Sequence, residues 1–232
     1  MDGDFLTSVG QDLVNLAADK GERRMVIIWG TRVRYRIHAE GEFFCPECGG
    51  DRPYRKLLAR RWFTLFWIPV IPRRRVWWVV ACGECGHHYR PAVLDKPTIA
   101  AMSRMLQGAA RALVMYVLRN GGNQDNPVVR RQAVEQIRAV RPEGYDDSTL
   151  EEDLFCVPRD PAPMLNQIAE HLDSAGREAL LVRGVRVALA DGPFNAGELS
   201  AIQAAGRALE MTPAHVAGVL LMARRSVDNP GS

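Results

Sequence analysis

Apolar positions along the chain follow two periods, one typical of strands and one typical of helices. Residues Met25 to Ile37 are typical of extended chain, and from Arg32 to Ile37 arginine and apolar side chains alternate, which predicts a strand with one basic face. The chain stays rich in β-branched and aromatic residues as far as Pro91. Beyond that point apolar residues recur every three or four positions, which predicts helices. The pattern therefore predicts an α+β protein of two modules, a small β module over residues 23–91 and an all-α module over residues 97–226.

Glycine, proline, asparagine and aspartate residues divide the second module into separate helical segments. The predicted helices span residues 97–120, 127–140, 148–155, 164–172, 178–190 and 196–209. Thr212 and Pro213 supply the N-cap and first-turn residue of one more helix. At the other end of the chain, apolar periodicity over residues 1–22 predicts a separate amphipathic helix.

Four of the five cysteines occur in two Cys-x-x-Cys pairs, a spacing typical of zinc sites. These four are Cys45, Cys48, Cys82 and Cys85. Zinc prefers four tetrahedral ligands, and thiolates three residues apart both reach one ion when the chain forms a tight turn. Four thiolates complete the coordination shell. The pattern therefore predicts one structural zinc ion, with no position left for a catalytic water.

Other interpretations of the cysteines stay open. In one interpretation, the two Cys-x-x-Cys pairs are coincidental or redox-active and bind no metal. In another, His87 or His88, which follow the second pair, replaces a cysteine ligand. Cys156 stands apart from the pairs on a predicted helix, and we expect it to be a small buried residue.

Charge is distributed unevenly between the two modules. Residues 23–90 contain 14 arginine or lysine residues against 5 acidic ones, whereas residues 97–232 contain 14 against 16. Basic residues of the first module interleave with tryptophan and phenylalanine, a combination that attracts phosphates and stacks on bases. The candidate residues for contact with nucleic acid or another partner are Arg60, Arg61, Trp62, Arg73, Arg74 and Arg75.

The same segment has two further interpretations. Its aromatic residues form the core of a small module, with the arginines solvating the outside, or Trp62 to Ile68 is an exposed tip that meets a protein partner or a membrane surface. The longest apolar stretch, Trp62 to Pro72, has 11 residues, and a spanning helix needs about 20. Residues 1–20 lack a basic region before an apolar run, so no secretory signal is expected and the protein is expected in the cytoplasm.

Three motifs of the first module resemble a bacterial zinc-ribbon family. They are the knuckle Cys45-Pro46-Glu47-Cys48, the segment Arg61-Trp62-Phe63-Thr64-Leu65-Phe66-Trp67-Ile68-Pro69, and the knuckle Cys82-Gly83-Glu84-Cys85. The resemblance implies a zinc ribbon, but it implies little about function because the family is largely uncharacterised.

The C-terminal stretch Leu181 to Val219 resembles the TerB-like domain of tellurite-resistance proteins, an all-α fold. The similarity rests on a helix that ends in Ala190-Asp191-Gly192 and on Glu198, which opens the next helix. The resemblance implies a role in tellurite or stress response and a divalent cation bound by Asp191 and Glu198. The residues leave another interpretation open, in which Asn195 caps the helix and Glu198 completes a capping box.

The sequence contains no nucleophile paired with a base, no glycine-rich phosphate loop and no open metal motif, so an enzyme is not expected. The patterns favour a non-enzymatic, zinc-binding, metal-responsive adaptor, and the TerB-like resemblance implies that it is linked to tellurite resistance or stress response. Its expected ligands are a structural Zn²⁺, a candidate second divalent cation and protein partners. The alternative is a nucleic-acid-binding protein that contacts its ligand through the basic zinc ribbon. The patterns indicate no oligomeric state.

Overall fold

The computed structural model of the chain describes residues 29–66, 68–141 and 144–228. It divides into two compact units, Met1–Ala100 and Ala101–Ser232. The N-terminal helix predicted over residues 1–22 lies outside the described residues.

The first unit is built on an antiparallel sheet in which each strand pairs with the next one along the chain. The described strands are β1 (Trp29–Cys45), β2 (Gly50–Leu65), β3 (Ile68–Cys82) and β4 (His88–Tyr89). A short 3₁₀ helix, Pro91–Asp95, follows β4. The alternating segment around Val33 lies within β1, which confirms the predicted strand and extends it to Cys45.

The register of the sheet sorts its side chains into two faces, because directly paired residues point to the same side. Tyr35, Ala59 and Trp77 lie opposite one another on one face. Arg36 and Leu58 are paired on the other. We call this second side the basic face, and its members are Arg32, Arg34, Arg36, Lys56, Leu58, Arg60, Trp62 and Trp78.

Helices make up the second unit. The described helices are α1 (Ile99–Gly121), α2 (Pro127–Arg138), α3 (Asp147–Cys156), α4 (Ala162–Ala169), α5 (Ser174–Ala188), α6 (Ala196–Ala208) and α7 (Pro213–Asp228). The predicted beginnings at Pro127, Ala196 and Pro213 are confirmed. Within the described part of the chain, no helix combines the length and the apolar composition that a membrane crossing requires.

Several helix boundaries differ from the prediction by one to four residues, and side chains account for two of them. Helix α4 ends at Ala169, several residues early, and the Arg177 guanidinium donates to the Ala169 carbonyl over 2.7 Å, which satisfies this helix end. Helix α5 begins at Ser174, earlier than predicted, because the Asp173 carboxylate accepts a hydrogen bond from the Gly176 backbone N–H at 2.7 Å.

Large aliphatic side chains from the helices form the core of the second unit. The fully buried ones include Leu113, Ile137, Leu150, Leu165, Ile168, Leu180, Leu181 and Ile202. Helices α1 and α5 approach closely at Gly184, where an added Cβ would lie 3.1 Å from Leu113 Cγ. A larger residue at position 184 would therefore push these two helices apart.

Two arginines of α1 bind α3 and the chain that follows it. Arg111 donates from Nε to the buried Asp153 carboxylate over 2.7 Å and from its terminal nitrogen to the other oxygen. Tyr145 donates its hydroxyl proton to Asp153 over 2.8 Å. Arg119 donates to the carbonyls of Leu154 at 2.7 Å and Val157 at 2.9 Å. These bonds satisfy carbonyls that the end of α3 leaves without helical partners.

Candidate metal centre

The four paired cysteines lie at one end of the sheet, where two strands run into matching turns. Cys45 ends β1 and Cys82 ends β3. In each turn the amide four residues later returns to the cysteine carbonyl, from Gly49 to Cys45 at 2.9 Å and from Gly86 to Cys82 at 3.2 Å. Both glycines have positive φ, 67° and 69°, a conformation that residues with a Cβ rarely adopt. The turns direct the second cysteine of each pair back toward the first.

The four sulfur atoms are spaced as ligands of one ion. All lie within 4.8 Å of one another. The separation is 3.8 Å between Cys45 and Cys85, and 4.0 Å between Cys48 and Cys82. Thiolates about 2.3 Å from a central zinc ion in a tetrahedron lie about 3.8 Å apart. The arrangement therefore fits tetrahedral coordination of a single metal ion.

The neighbouring candidate ligands do not join this group. The His87 ring lies beside the Tyr89 ring in a tilted arrangement, with centroids 4.9 Å apart, and the centroid of the His88 ring lies 5.7 Å from that of Tyr35. Neither histidine is among the grouped ligand atoms. Cys156 is the last residue of α3 in the other unit and is exposed, so the expectation that it is buried was wrong. The helix ends there, with the exposed Phe155 beside it.

The surroundings of the four sulfur atoms favour ionisation of one thiol, Cys45, and oppose ionisation of Cys48. Burial raises the pKa of Cys45, but hydrogen bonds from the Tyr89 hydroxyl, 3.2 Å away, and from neighbouring cysteines outweigh it and lower the pKa from 9.0 to about 6. Burial and hydrogen bonds with Cys45 and Cys85 raise the pKa of Cys48 to about 12. A divalent cation removes this conflict, because it stabilises every thiolate that binds it.

The metal ligands also belong to the small core of the first unit. Its buried members are Phe43, Cys45, Val80 and Cys82, with Tyr54, Tyr89, Val93 and Leu94 packed around them. Two of the four buried members are thus cysteines of the site. So small a core supplies little folding free energy, and the binding free energy of a metal would add directly to it.

The basic and aromatic candidates occupy both faces of the sheet. Arg60 and Trp62 lie on the basic face, whereas Arg61 projects from the opposite face and its guanidinium lies 5.9 Å from the Trp77 ring. Arg73, Arg74 and Arg75 lie in β3, and their side chains are outside the described part of the structure. The exposed Trp77 and Trp78 argue against the interpretation in which the aromatic residues form a closed core.

The structure shows cation and ring neighbours of the tryptophans that could not be assigned from the sequence. The Arg34 guanidinium lies 5.9 Å from the Trp62 ring, and the Lys56 ammonium lies 5.3 Å from the Trp78 ring. The His38 ring also lies against the Trp78 ring, with centroids 4.8 Å apart and the two planes tilted by 58°. The alternation of arginines in β1 indicated a basic face, but only the register between strands shows which tryptophan each cation meets.

Asp191 and Glu198 lie near each other in the second unit. Glu198 is buried, accepts a hydrogen bond from the Asn195 backbone N–H at 2.9 Å, and donates its own N–H to the Asn195 side chain at 2.9 Å. This confirms the predicted capping box at the start of α6. Burial raises the pKa of Glu198, and the charge of Asp191 raises it further, against the lowering effect of the Asn195 amide.

Two asparagines that the sequence analysis missed contact Asp191. Asn123 donates to the Asp191 carboxylate at 2.7 Å and Asn126 donates at 3.2 Å. Both come from the loop between α1 and α2, so the contact joins segments far apart in the sequence. A metal ion needs several ligand atoms close together. Among the described residues, the four cysteines form the group of at least three cysteine, histidine or acidic side chains that meets this condition.

Comparisons with known proteins return nothing: no protein-family model, no curated protein and no solved structure matches the chain. The resemblances to a bacterial zinc-ribbon family and to TerB-like domains therefore remain predictions from sequence motifs.

Proposed function

We propose that the protein is a non-enzymatic adaptor whose first unit is stabilised by one structural Zn²⁺. The observation that carries this proposal is the spacing of the Cys45, Cys48, Cys82 and Cys85 sulfurs, all within 4.8 Å of one another. Soft thiolate ligands in a tetrahedral set favour zinc over magnesium or calcium, which prefer oxygen. Four protein ligands leave no position for a substrate or an activated water, so the ion is structural.

The β2–β3 hairpin supports an adaptor role, because it extends from the metal site and exposes apolar side chains. The hairpin formed by β2 and β3 begins directly after the first cysteine pair and ends at the second. It exposes large apolar residues, among them Phe66, Ile68 and Ile71. Exposed apolar groups beside arginines are typical of surfaces that meet a partner.

Elemental analysis of the purified full chain tests the metal proposal. We expect one zinc ion per chain in the native protein and in Cys156→Ser, the control for loss of a thiol outside the site. Cys45→Ser removes a buried ligand and is expected to hold much less zinc. Equal zinc in Cys45→Ser and native protein, or no zinc in the native protein, would contradict the proposal.

A metal-responsive role in tellurite or stress physiology is the second part of the proposal. Its support is the TerB-like motif around Asp191 and the buried Glu198 beside it. Calcium takes six to eight oxygen ligands, so a cation here would also need backbone or water oxygens. Glu198→Gln tests it, since glutamine keeps the capping box but lacks the charge. Loss of a second bound divalent ion in this variant supports the role, and a native chain that binds zinc alone contradicts it.

Nucleic-acid binding is the alternative function, and the cation and tryptophan pairs of the basic face favour it. A single-stranded oligonucleotide titrated at several salt concentrations tests it. Arg34→Gln/Arg60→Gln is expected to reduce the salt slope by about 1.4, since each phosphate contact on a single strand contributes about 0.7. Arg131→Gln/Arg207→Gln, two exposed arginines of the helical unit, is the control of equal charge. Absence of binding at low salt would eliminate this alternative.

A further inference from the structure

The end of the β2–β3 hairpin remote from the cysteines carries a cluster of exposed apolar side chains. Exposed fractions are 53% for Phe66, 65% for Ile68, 53% for Val70 and 58% for Ile71. We call these four residues the hairpin tip. Cys45 pairs with Gly50 at one end of β2, and Leu65 pairs with Ile68 at the other. With a rise of about 3.3 Å per residue, the tip lies roughly 50 Å along β2 from the metal site.

The turn at the tip is built in an unfavourable way. Leu65 pairs with Ile68, so the connection has two residues, and the first of them, Phe66, has φ 48°. Turns of this kind favour asparagine, aspartate or glycine at that position, and a bulky residue there is strained. The Phe66 side chain in this conformation is 53% exposed, so the fold buries only part of the ring. Such strain is typical of functional sites.

The hairpin that carries the tip has a strongly basic composition. Residues 52–83 contain eight arginine or lysine residues and no aspartate or glutamate. Arg60 and Arg61, near the tip in β2, are both exposed. The hairpin therefore attracts an anionic surface.

The aliphatic character of the tip distinguishes a bilayer from a nucleic acid. Ile68, Val70 and Ile71 have no ring to stack on a base, whereas they gain free energy when they enter an apolar phase. The neighbouring sequence contains arginine, tryptophan and phenylalanine. These residue types are enriched at the boundary between lipid headgroups and acyl chains.

We propose that the hairpin tip inserts into the surface of an anionic lipid bilayer, while basic side chains of the same hairpin contact the headgroups. This inference rests on the proposed adaptor function and names the partner of its first unit. The metal site holds the base of the hairpin, and the tip makes the contact. Two features contribute, apolar insertion and attraction to negative charge, as stable attachment at an interface requires.

Flotation of the zinc-loaded full chain with vesicles tests this. Vesicles of phosphatidylglycerol and phosphatidylcholine are compared with vesicles of phosphatidylcholine alone. We expect binding to the anionic vesicles, with a blue shift of tryptophan emission, because Trp67 follows Phe66 in the sequence. Phe66→Asn/Ile68→Thr keeps residues suited to the turn and the strand, and it is expected to weaken binding at least about tenfold. Phe155→Asn, which removes an exposed phenylalanine of the helical unit, should bind as the native chain does.

Zinc content measured on each sample separates this inference from the metal proposal. Absence of vesicle binding in a chain that holds one zinc overturns the inference and leaves the metal centre in place. Equal binding by the native chain and the tip variant also overturns it. The basic hairpin would be assigned to nucleic acid instead if an oligonucleotide displaced the chain from vesicles and bound the tip variant as tightly as the native chain.

Discussion

At the scale of single residues, Asp153 shows how the helical unit accommodates a buried charge. Its two carboxylate oxygens accept hydrogen bonds from Arg111, and one of them also accepts the Tyr145 hydroxyl proton. Burying an ionised carboxylate is costly unless it is paired and hydrogen-bonded. The interaction with Asp153 raises the pKa of Arg111 against the opposing effect of its burial. Burial, followed by the bond to Asp153, raises the pKa of Tyr145.

Asp153→Ala is expected to lower the free energy of unfolding of the helical unit by about 3 kcal/mol, because it leaves the partly buried Arg111 and the buried Tyr145 without their acceptor. Tyr145→Phe removes one hydrogen bond and is expected to cost about 1 kcal/mol. Urea unfolding followed by far-ultraviolet circular dichroism measures both. An Asp153→Ala variant as stable as the native chain would mean that the network contributes nothing net.

Residue chemistry also explains which parts of the metal centre could be predicted. The spacing of Cys45, Cys48, Cys82 and Cys85 identified the cluster without any structure, because two turns of fixed length suffice to bring each pair together. Tyr89 could not be predicted as a partner of Cys45. That contact depends on the pairing of β3 with β4, which the two-residue strand His88–Tyr89 barely indicates in the sequence.

Among the elements, the beginnings of three helices were more predictable than the lengths of the strands. The capping box of α6 and the prolines that open α2 and α7 are local signals, and each marks its helix beginning correctly. Strands β2 and β3 extend over the whole segment between the cysteine pairs. Their prolines and arginines weaken the strand pattern there, so pairing with neighbouring strands determines the length.

The capping box leads to a prediction about helix α6. Asn195→Ala removes the acceptor for the Glu198 backbone N–H and is expected to destabilise the helical unit by about 1 kcal/mol. Asn195→Ser keeps an acceptor and should retain most of the stability. Urea unfolding in the absence of added divalent ions provides the measurement. Equal stability of the alanine and serine variants would show that the cap is not needed.

At the scale of the whole molecule, the two units carry different charge and different spectroscopic probes. All five tryptophans fall between Trp29 and Trp78, in the first unit, and the seven described helices dominate the second. Tryptophan emission therefore reports on the sheet, and far-ultraviolet circular dichroism reports mainly on the helices. The two signals follow each unit separately in the full chain.

Metal removal is expected to affect the two signals differently. A chelator should shift tryptophan emission to the red, because the small core around Phe43 and Val80 loses the metal that holds its cysteines. The helical signal should persist, since the helical core contains none of these ligands. Added zinc should reverse the change. Unchanged emission after complete metal removal would mean that the first unit folds without the ion.

X-ray absorption at the metal edge of the purified full chain is the decisive test of the proposed zinc site. It identifies the bound element and the number, type and distance of its ligands. We expect zinc with four sulfur ligands at about 2.3 Å. A shell that includes nitrogen or oxygen, or an element other than zinc, would contradict a closed structural site made by Cys45, Cys48, Cys82 and Cys85.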